Sequence, residues 1–257
     1  MRKFICHQFA YLSDNYGVLL HCPETGKTAA IDAGDAKAYQ DELAKTGYRL
    51  DEIWITHHHW DHTDGLADLK KATGAKVIGP DKTKDNIAAL IDEAVNDGDE
   101  FSFADRLGKI IRTPGHTLDM VNFYLPSEAL LFSGDSLFVL GCGRLFEGDG
   151  PMMWHSLSKL RALPDDVIIY SSHEYSLANA AFALSIEPDN KALQERAKQI
   201  EIRRAQNKPT VPSLMRDELA TNPFLRPDSK AIRDNLSLQN ASDEAVFTEI
   251  RKRKDNF

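Results

Sequence analysis

The potential metal-binding side chains of this chain are most concentrated in one heptapeptide. Its residues are Thr56-His57-His58-His59-Trp60-Asp61-His62. Imidazole nitrogens and carboxylate oxygens are donors that zinc, manganese and iron accept in proteins. A histidine-rich run can also be a solvated loop, but four histidines and one aspartate so close together favour a site for one or two divalent cations.

The elements around the heptapeptide explain how its side chains could converge. Residues 52–56 are mostly apolar and predict a short strand that leads into the cluster. If the extended geometry continues, His57 and His59 point to the same side, because strand side chains alternate. Asp61 and His62 are adjacent, so the chain must turn there, and residues 63–71 predict a helix. Strand end, turn and helix start can therefore aim three imidazoles and one carboxylate into a small volume.

Three more strands end at a histidine or an aspartate. Residues 107–113 predict a strand that stops at Pro114-Gly115-His116-Thr117. Residues 129–132 run into Gly134-Asp135-Ser136, and residues 167–171 are followed by Ser172-His173. Side chains at strand ends can face a cleft and reach a metal, although His116 could instead be a surface turn histidine and Asp135 could only cap a turn.

These motifs resemble a known family. Thr-His-x-His-x-Asp-His is typical of the metallo-β-lactamase fold, and the fuller Thr-His-His-His-x-Asp-His is similar to glyoxalase II, the hydroxyacylglutathione hydrolases. The resemblance covers residues 4–175, with each motif in family order. It implies that His57, His59 and His116 hold a first metal. It implies a second metal at Asp61, His62 and His173, with Asp135 bridging the pair. The remaining histidines stand outside any motif, and we interpret them as structural or solvent-facing: His7, His21, His58 and His155.

A change of composition after Tyr175 predicts the domain organisation. Before this residue the predicted order begins with three strands, a helix over residues 36–46 and a strand, and a further helix is predicted over residues 81–94. This alternation of strands and helices favours sheets covered by helices. Afterwards, residues 177–186, 190–207 and 242–254 predict helices. We therefore expect an α/β (α+β) fold, in which residues 1–175 form a metallo-β-lactamase-like αββα sandwich that binds metal. Residues 176–257 are expected to form a small all-helical C-terminal domain that binds substrate.

The resemblance also implies a binding site for glutathione. The family places a basic and then an aromatic residue in the loop that matches Gly141-Cys142-Gly143-Arg144-Leu145-Phe146, and an Arg-x-x-Lys pair in its last helix. The corresponding residues here are Arg144, Phe146, Tyr175, Arg251 and Lys254. A simpler interpretation of the last two is that basic residues at the end of a helix complement its dipole.

Composition excludes several classes of protein. A chain of 257 residues with 42% hydrophobic content can bury a core, and a net charge of −8 argues against a nucleic-acid surface. No run approaches the ~20 apolar residues that cross a membrane, and polar residues interrupt any signal-peptide core near the N-terminus. The three cysteines are scattered, which argues against a disulfide framework. We expect a cytoplasmic monomer that binds neither nucleic acid nor membrane.

The resemblance implies hydrolysis of S-(2-hydroxyacyl)glutathione, with S-D-lactoylglutathione as the expected substrate, to D-lactate and glutathione in methylglyoxal detoxification. Two divalent transition-metal ions are implied, with zinc favoured over iron or manganese. A metal-bridging hydroxide would attack the thioester carbonyl, with Asp61 and Asp135 as the catalytic residues.

Other functions remain open at this stage. A persulfide dioxygenase with one iron ion uses the same fold and also accepts a glutathione derivative. A lactamase or a tRNA-processing nuclease is disfavoured by the basic last helix and the acidic net charge. A non-catalytic metal-binding scaffold is the third alternative. Three departures from the family pattern bear on metal preference and substrate contacts: Asp64, Asp119 and Phe146.

Overall fold

The computed structural model describes residues 4–257. Over these residues the chain alternates strands and helices, then becomes mostly helical. The strands are β1 (Ile5–Tyr11), β2 (Asn15–His21), β3 (Thr28–Ile31), β4 (Glu52–Trp54), β5 (Lys76–Pro80), β6 (Glu93–Val95), β7 (Glu100–Phe103), β8 (Arg106–Arg112), β9 (Val121–Leu125), β10 (Leu130–Gly134), β11 (Leu137–Phe138), β12 (Gly141–Cys142), β13 (Ile168–Ser171) and β14 (Ser213–Leu214).

Ten α-helices accompany these strands in the described part of the chain. They are α1 (Ala36–Thr46), α2 (Trp60–Thr63), α3 (Leu66–Thr73), α4 (Asp85–Ala88), α5 (Gly150–Arg161), α6 (Ser176–Ile186), α7 (Lys191–Ala205), α8 (Met215–Thr221), α9 (Lys230–Leu236) and α10 (Asp243–Asp255). Short 3-10 helices lie at Pro126–Glu128 and Pro223–Leu225. No helix over residues 4–257 combines the length and apolar character required to span a bilayer.

The described residues group into two compact units. The first runs up to Arg112 and resumes over Asp119–Gly134, and the second comprises Thr113–Leu118 and Asp135–Phe257. The predicted boundary at residue 175 is a different division of the chain and stays a prediction.

The first sheet of the first unit has the strand order β1-β2-β3-β4-β5-β6. The strands β1, β2 and β3 pair antiparallel, and β3 to β6 pair in parallel. Helices α1 and α3 bury apolar residues in the same core cluster as this sheet, among them Tyr39, Leu43, Leu66 and Leu69. This arrangement follows the predicted order of three strands, a helix and a strand.

The first unit also contains β7, β8, β9 and β10 of a second, antiparallel sheet. These strands pack on the first sheet through Trp54, which is fully buried at the end of β4. The Trp54 ring lies 4.9 Å from Phe101, 5.1 Å from Phe103 and 5.1 Å from Phe123 between centroids. Such aromatic clusters contribute large buried area and specific edge or offset contacts. This aromatic cluster thus lies three residues before the first predicted metal ligand, His57.

Helix α1 has the predicted bounds, and its caps explain why. The Asp35 side chain accepts a hydrogen bond from Ala38 N at the N-cap, and Gly47 adopts a left-handed conformation at the C-cap with φ of 73°. Both signals are visible in the sequence, which is why this helix could be predicted from residue 36 to 46.

Two predicted helices differ from those observed. The helix expected over residues 63–71 starts earlier, at Trp60, and is interrupted at Gly65 before α3 begins. A Cβ atom on Gly65 would lie 2.3 Å from Ala36 N, so the close approach of two backbones sets this break. A helix expected over residues 81–94 is wrong, because only Asp85–Ala88 is helical and Glu93–Val95 joins the first sheet as β6.

The second unit contains two short strand pairs and most of the helices. The strands β11 and β12 form an antiparallel pair, as do β13 and β14. The pair β13–β14 includes a short strand beyond Tyr175, where the sequence predicts helices alone. Helices α6, α7 and α10 agree with the predicted helical segments to within two residues at each end. Helix α10 packs on α5, where the Trp154 and Phe247 ring centroids lie 5.9 Å apart.

Candidate metal centre

The first unit brings together the four heptapeptide residues predicted as ligands. Beyond β4 the chain has no regular secondary structure until it enters α2 at Trp60, and the backbone of His59 is extended. The predicted change of direction therefore lies where Asp61 and His62 need it. His57 Nε2 lies 3.1 Å from His59 Nδ1, and His62 Nε2 lies 3.3 Å from Asp61 Oδ2. The His57 and His62 rings are 4.2 Å apart between centroids. Four potential ligands therefore share one small volume.

Asp32 organises this group, although the sequence analysis gave it no role. Its carboxylate accepts hydrogen bonds from Thr56 N at 2.8 Å and from Thr56 Oγ1 at 3.0 Å. It also accepts one from His62 Nδ1 at 2.8 Å. Asp32 has a φ of 59°, a left-handed conformation that aspartate adopts more readily than most residues. The sequence signal was present as an aspartate directly after a buried strand, the same signal that identified Asp135.

Two further residues fix Asp61. Asn15 donates a hydrogen bond from Nδ2 to Asp61 Oδ2 at 2.9 Å, and the Tyr11 hydroxyl donates to the Asp61 carbonyl at 2.9 Å. A Cβ atom on Gly34 would lie 1.8 Å from the same carbonyl oxygen, so only glycine leaves room for the chain here. The orientation of Asp61 is therefore set by three segments that surround it within the first unit.

His58 takes a structural position, as the sequence analysis expected. Its Nδ1 lies 3.0 Å from Asp119 Oδ1, and the Thr83 hydroxyl donates to Asp119 Oδ2 at 2.7 Å. Asp119, which departs from the family pattern, is buried. Each of its two carboxylate oxygens has a hydrogen-bond partner. Asp64, the other departure beside the heptapeptide, is exposed at the end of α2.

The second unit brings together the other three predicted ligands around Asp135. Its Oδ2 lies 3.3 Å from His116 Nε2, and its Oδ1 lies 3.3 Å from His173 Nε2. Ser172, also missed by sequence reasoning, donates a hydrogen bond from its hydroxyl to Asp135 Oδ1 at 2.9 Å. All three predicted ligands are buried. Each oxygen of one carboxylate therefore faces a different histidine.

The hydrogen bonds of these histidines test whether the donor set fits a metal ion. His116 Nδ1 lies 2.7 Å from the Arg144 carbonyl, which can only accept, so the proton sits on Nδ1. In the neutral ring Nε2 then carries a lone pair that faces Asp135 Oδ2. His62 repeats this arrangement, because Nδ1 donates to Asp32 while Nε2 faces Asp61. Acceptors that face each other repel unless a cation or a proton lies between them, so the donor set fits a metal cation.

The predicted substrate residues all belong to the second unit. Arg144 and Phe146 are exposed on the loop after β12, and the Arg144 guanidinium carbon lies 5.9 Å from the Phe146 ring centroid. Tyr175 stacks on the proposed ligand His173, with ring centroids 4.7 Å apart and an interplanar angle of 5°. Two of the exposed aromatic rings thus lie beside histidines of the site, since Phe146 also contacts His116 edge-on at 5.3 Å.

Arg251 and Lys254 differ in their surroundings. Arg251 is only 6% exposed, donates to the Cys142 carbonyl at 3.2 Å and to Asp255 at 2.7 Å, and its Nε has no hydrogen-bond partner among the described residues. The pKa of Lys254 is lowered, first by burial and then by Arg251, with Arg144 contributing in the same direction. Asp255 acts in the opposite direction, so these three cations have an anionic neighbour within the protein.

Cys142 does not offer an alternative nucleophile. Burial raises the pKa of its thiol to about 11, although Arg251 acts in the opposite direction. The thiolate is the nucleophilic form of cysteine, so a buried thiol with this pKa is inert near neutral pH. The chemistry of the site accordingly rests on its histidines and carboxylates.

Comparison with known proteins agrees with this geometry. Residues 16–173 match the metallo-beta-lactamase superfamily, and residues 174–257 match the family described as hydroxyacylglutathione hydrolase C-terminus. Proteins named hydroxyacylglutathione hydrolase from Maricaulis maris and Brucella ovis are 49% and 54% identical over 257 residues. These alignments cover all of this chain, with 100% of the first relative and 98% of the second.

A solved structure supports the fold alone. The crystal structure of ETHE1 from Myxococcus xanthus superimposes with a TM-score of 0.69 and 22% identity, covering 96% of this chain and 90% of that one. The fold class predicted from the sequence is confirmed, and the histidine and aspartate clusters are those of a divalent-metal site. The chain belongs to the hydroxyacylglutathione hydrolases, within the metallo-β-lactamase superfamily.

Proposed function

We propose that this protein hydrolyses the thioester of S-(2-hydroxyacyl)glutathione, with S-D-lactoylglutathione as the preferred substrate. Water and the thioester yield D-lactate and glutathione, as in methylglyoxal detoxification. The observation that carries the proposal is Asp135, because its two oxygens face two different histidines at 3.3 Å each. A carboxylate in this position is suited to bridge two cations. Membership of the hydroxyacylglutathione hydrolases adds the substrate class.

The proposed ligand assignment follows the family pattern. His57, His59 and His116 would hold one ion, and Asp61, His62 and His173 the other, with Asp135 shared. We favour zinc in both positions, with iron or manganese as alternatives, because imidazole and carboxylate donors suit all three metals. Ions held there would act as Lewis acids, which would lower the pKa of water towards neutrality and polarise a thioester carbonyl.

The protein's own residues supply orientation and charge. Asp32 keeps the His62 proton on Nδ1, and the Arg144 carbonyl keeps the His116 proton on Nδ1. In both rings the Nε2 lone pair is then available to bind a metal. Asn15 holds Asp61 through Oδ2, and we propose that the Asp61 carboxylate steers the attacking water. The leaving thiol has a pKa of about 8.5, so it departs as thiolate with little need for a general acid.

The glutathione moiety is proposed to bind in the second unit. Lys254 and Arg144 offer charge to its carboxylates, and Phe146 and Tyr175 offer apolar surface, with 61% of Phe146 exposed. Arg251 is more enclosed than the sequence suggested. Its unpartnered Nε is a buried donor, and a ligand carboxylate that reaches it would remove the cost of leaving it unsatisfied.

The cellular location, oligomeric state and partners of the enzyme are also proposed. We propose a cytoplasmic monomer, since three cysteines scattered along the sequence argue against a disulfide framework and suit a reducing compartment. Its net charge of −8 supports a small-molecule substrate over nucleic acid or an anionic membrane surface.

The proposal is tested by comparing two thioesters with the same acyl group. S-D-lactoylglutathione should be hydrolysed with a kcat/KM far above that of a lactoyl thioester of a simple thiol. The difference should lie mainly in KM, since the tripeptide contributes binding remote from the reacting carbonyl. Equal kcat/KM values for both thioesters would refute glutathione recognition.

A further inference from the structure

Two segments of the second unit are joined along their backbones. They are residues 141–148, here called the glycine loop, and Thr113–Leu118, here called the histidine turn. Phe146 N donates to the His116 carbonyl at 3.2 Å, and Gly148 N donates to the Gly115 carbonyl at 3.0 Å. In the opposite direction, His116 Nδ1 donates to the Arg144 carbonyl at 2.7 Å. The loop that presents Arg144 and Phe146 thus also holds the ring of His116.

Close packing between the glycine loop and the histidine turn leaves the two segments little room to move. A Cβ atom on Gly143 would lie 2.1 Å from the Asp135 carbonyl oxygen and 3.0 Å from His116 Nδ1. A Cβ atom on Gly148 would lie 2.6 Å from Gly115 Cα. Both distances are too short for any side chain, so the two glycines allow direct backbone contact. A small shift of the glycine loop must therefore move the surroundings of His116.

The side chain of Glu147 also connects the glycine loop to the histidine turn. Its Oε2 accepts a hydrogen bond from Leu118 N at 2.7 Å, which ties the far end of the histidine turn to the loop. A hydrogen bond to an ionised carboxylate is roughly twice as strong as one between neutral groups. Neither the metal ligands nor the glutathione contacts that the family pattern implies include this residue.

We propose that Glu147 is a positioning residue for His116. By fixing Leu118 it closes the histidine turn against the glycine loop, which keeps the Arg144 carbonyl on His116 Nδ1 and Nε2 directed towards Asp135. Partners of this kind set the tautomer and the orientation of a metal-binding imidazole, and their loss typically lowers metal affinity about 10–100-fold. The inference rests on the proposed function only in taking His116 as a metal ligand.

The experiment compares Glu147→Ala and Glu147→Gln with the wild type. Glutamine keeps a side-chain oxygen that can accept from Leu118 N, whereas alanine does not. Glu195→Ala is the matched control, because Glu195 is an exposed acid on α7 that accepts only from Gln199 among the hydrogen bonds that the described residues show. The zinc affinity of each protein is measured by competition with a chromophoric chelator, and the thermal midpoint of the metal-free form reports folding.

Glu147→Ala should lose about 10–100-fold in zinc affinity with an unchanged midpoint of the metal-free form. Glu147→Gln and Glu195→Ala should stay close to the wild type. Wild-type affinity in Glu147→Ala would overturn the proposal. Equal losses in Glu147→Gln and Glu147→Ala would also overturn it, because the charge of Glu147 would then act on the ion without Leu118. If the wild type fails to hydrolyse S-D-lactoylglutathione while Glu147→Ala still weakens zinc binding, the proposed function fails and this inference stands.

Discussion

The contacts of Asp135 are the strongest indication of a metal site, because each of its carboxylate oxygens faces a different histidine. Asp135→Ala should reduce the metal content by half or more and lower kcat/KM by about 100-fold or more, since metal occupancy and charge stabilisation are lost together. Elemental analysis and the hydrolysis assay measure both. Asp217→Ala, an exposed aspartate on α8, serves as the control. Full metal content in Asp135→Ala would contradict a bridging role.

Substitutions of Lys254 and Arg251 should differ in their effect on stability, because Arg251 also donates hydrogen bonds to Cys142 and Asp255. Lys254→Ala should raise KM for S-D-lactoylglutathione about 10–100-fold with little change in kcat, because a hydrogen bond between charged groups contributes ~1.5–3 kcal/mol. Arg251→Ala should raise KM similarly and also lower the free energy of unfolding by about 1–3 kcal/mol, since it leaves Cys142 O and Asp255 without their donor. If neither substitution changes KM, neither residue anchors the substrate, and Lys254 only complements the helix dipole.

The pH dependence of binding should report Lys254 directly. Its pKa is lowered, chiefly by burial, so the ammonium loses its proton at a lower pH than an ordinary lysine. As the pH rises through this pKa, kcat/KM of the wild type should fall because the carboxylate anchor becomes neutral. Lys254→Arg keeps its charge, so its kcat/KM should fall less over the same alkaline range. Identical profiles, corrected for spontaneous thioester hydrolysis, would show that Lys254 does not anchor the substrate.

The positions of some site residues could be predicted from the sequence, and those of others could not. The spacing of His57, His59, Asp61 and His62 was sufficient to predict one cluster, because a strand end and a turn have few alternative geometries. The burial of Arg251 could not be predicted, since a cation at the end of a helix looks the same in sequence whether it faces solvent or Phe224. The role of Asp32 was missed for a related reason, because its partners are Thr56 and His62, far along the chain.

At the scale of elements, the glycine loop should couple substrate binding to metal binding. Its Arg144 carbonyl holds His116, and the Cys142 carbonyl accepts from Arg251 on α10. S-methylglutathione, which has no thioester to cleave, should therefore slow the loss of metal to a chelator, because coupling between two sites is reciprocal. Lys254→Ala should need a higher concentration of this ligand for the same protection. Metal loss that is unaffected at saturating ligand would contradict the coupling.

Elements differ in how well their sequences predict them. Helix α1 has an N-cap aspartate and a C-cap glycine, and its predicted bounds are confirmed. The helix predicted over residues 81–94 failed because Glu93–Val95 is short and its place as β6 depends on pairing with β5. Such tertiary pairing overrides local propensity and leaves no local signal. Helix α5 begins with Asp149 and proline in its first turn, a start signal that the sequence analysis did not use.

At the scale of the whole molecule, the helical C-terminal segment bonds to the first residue of the glycine loop and to the residue before it, through side chains that no local pattern would reveal. Asn222 Nδ2 donates to the Gly141 carbonyl at 3.0 Å, and Glu218 accepts from Leu140 N at 2.9 Å. The composition break after Tyr175 predicted a helical segment but not these contacts. They lie within the second unit, which helps explain why the two compact units do not meet at the predicted boundary at residue 175.

The central claim is that water, not molecular oxygen, cleaves a glutathione thioester. Turnover of S-D-lactoylglutathione in oxygen-18 water by protein with about two equivalents of metal tests this most directly. The account predicts one labelled oxygen in each D-lactate, one thiol released for each thioester consumed and no uptake of dioxygen. Absence of label, consumption of dioxygen with a glutathione persulfide, or no turnover by the metal-loaded protein would contradict it.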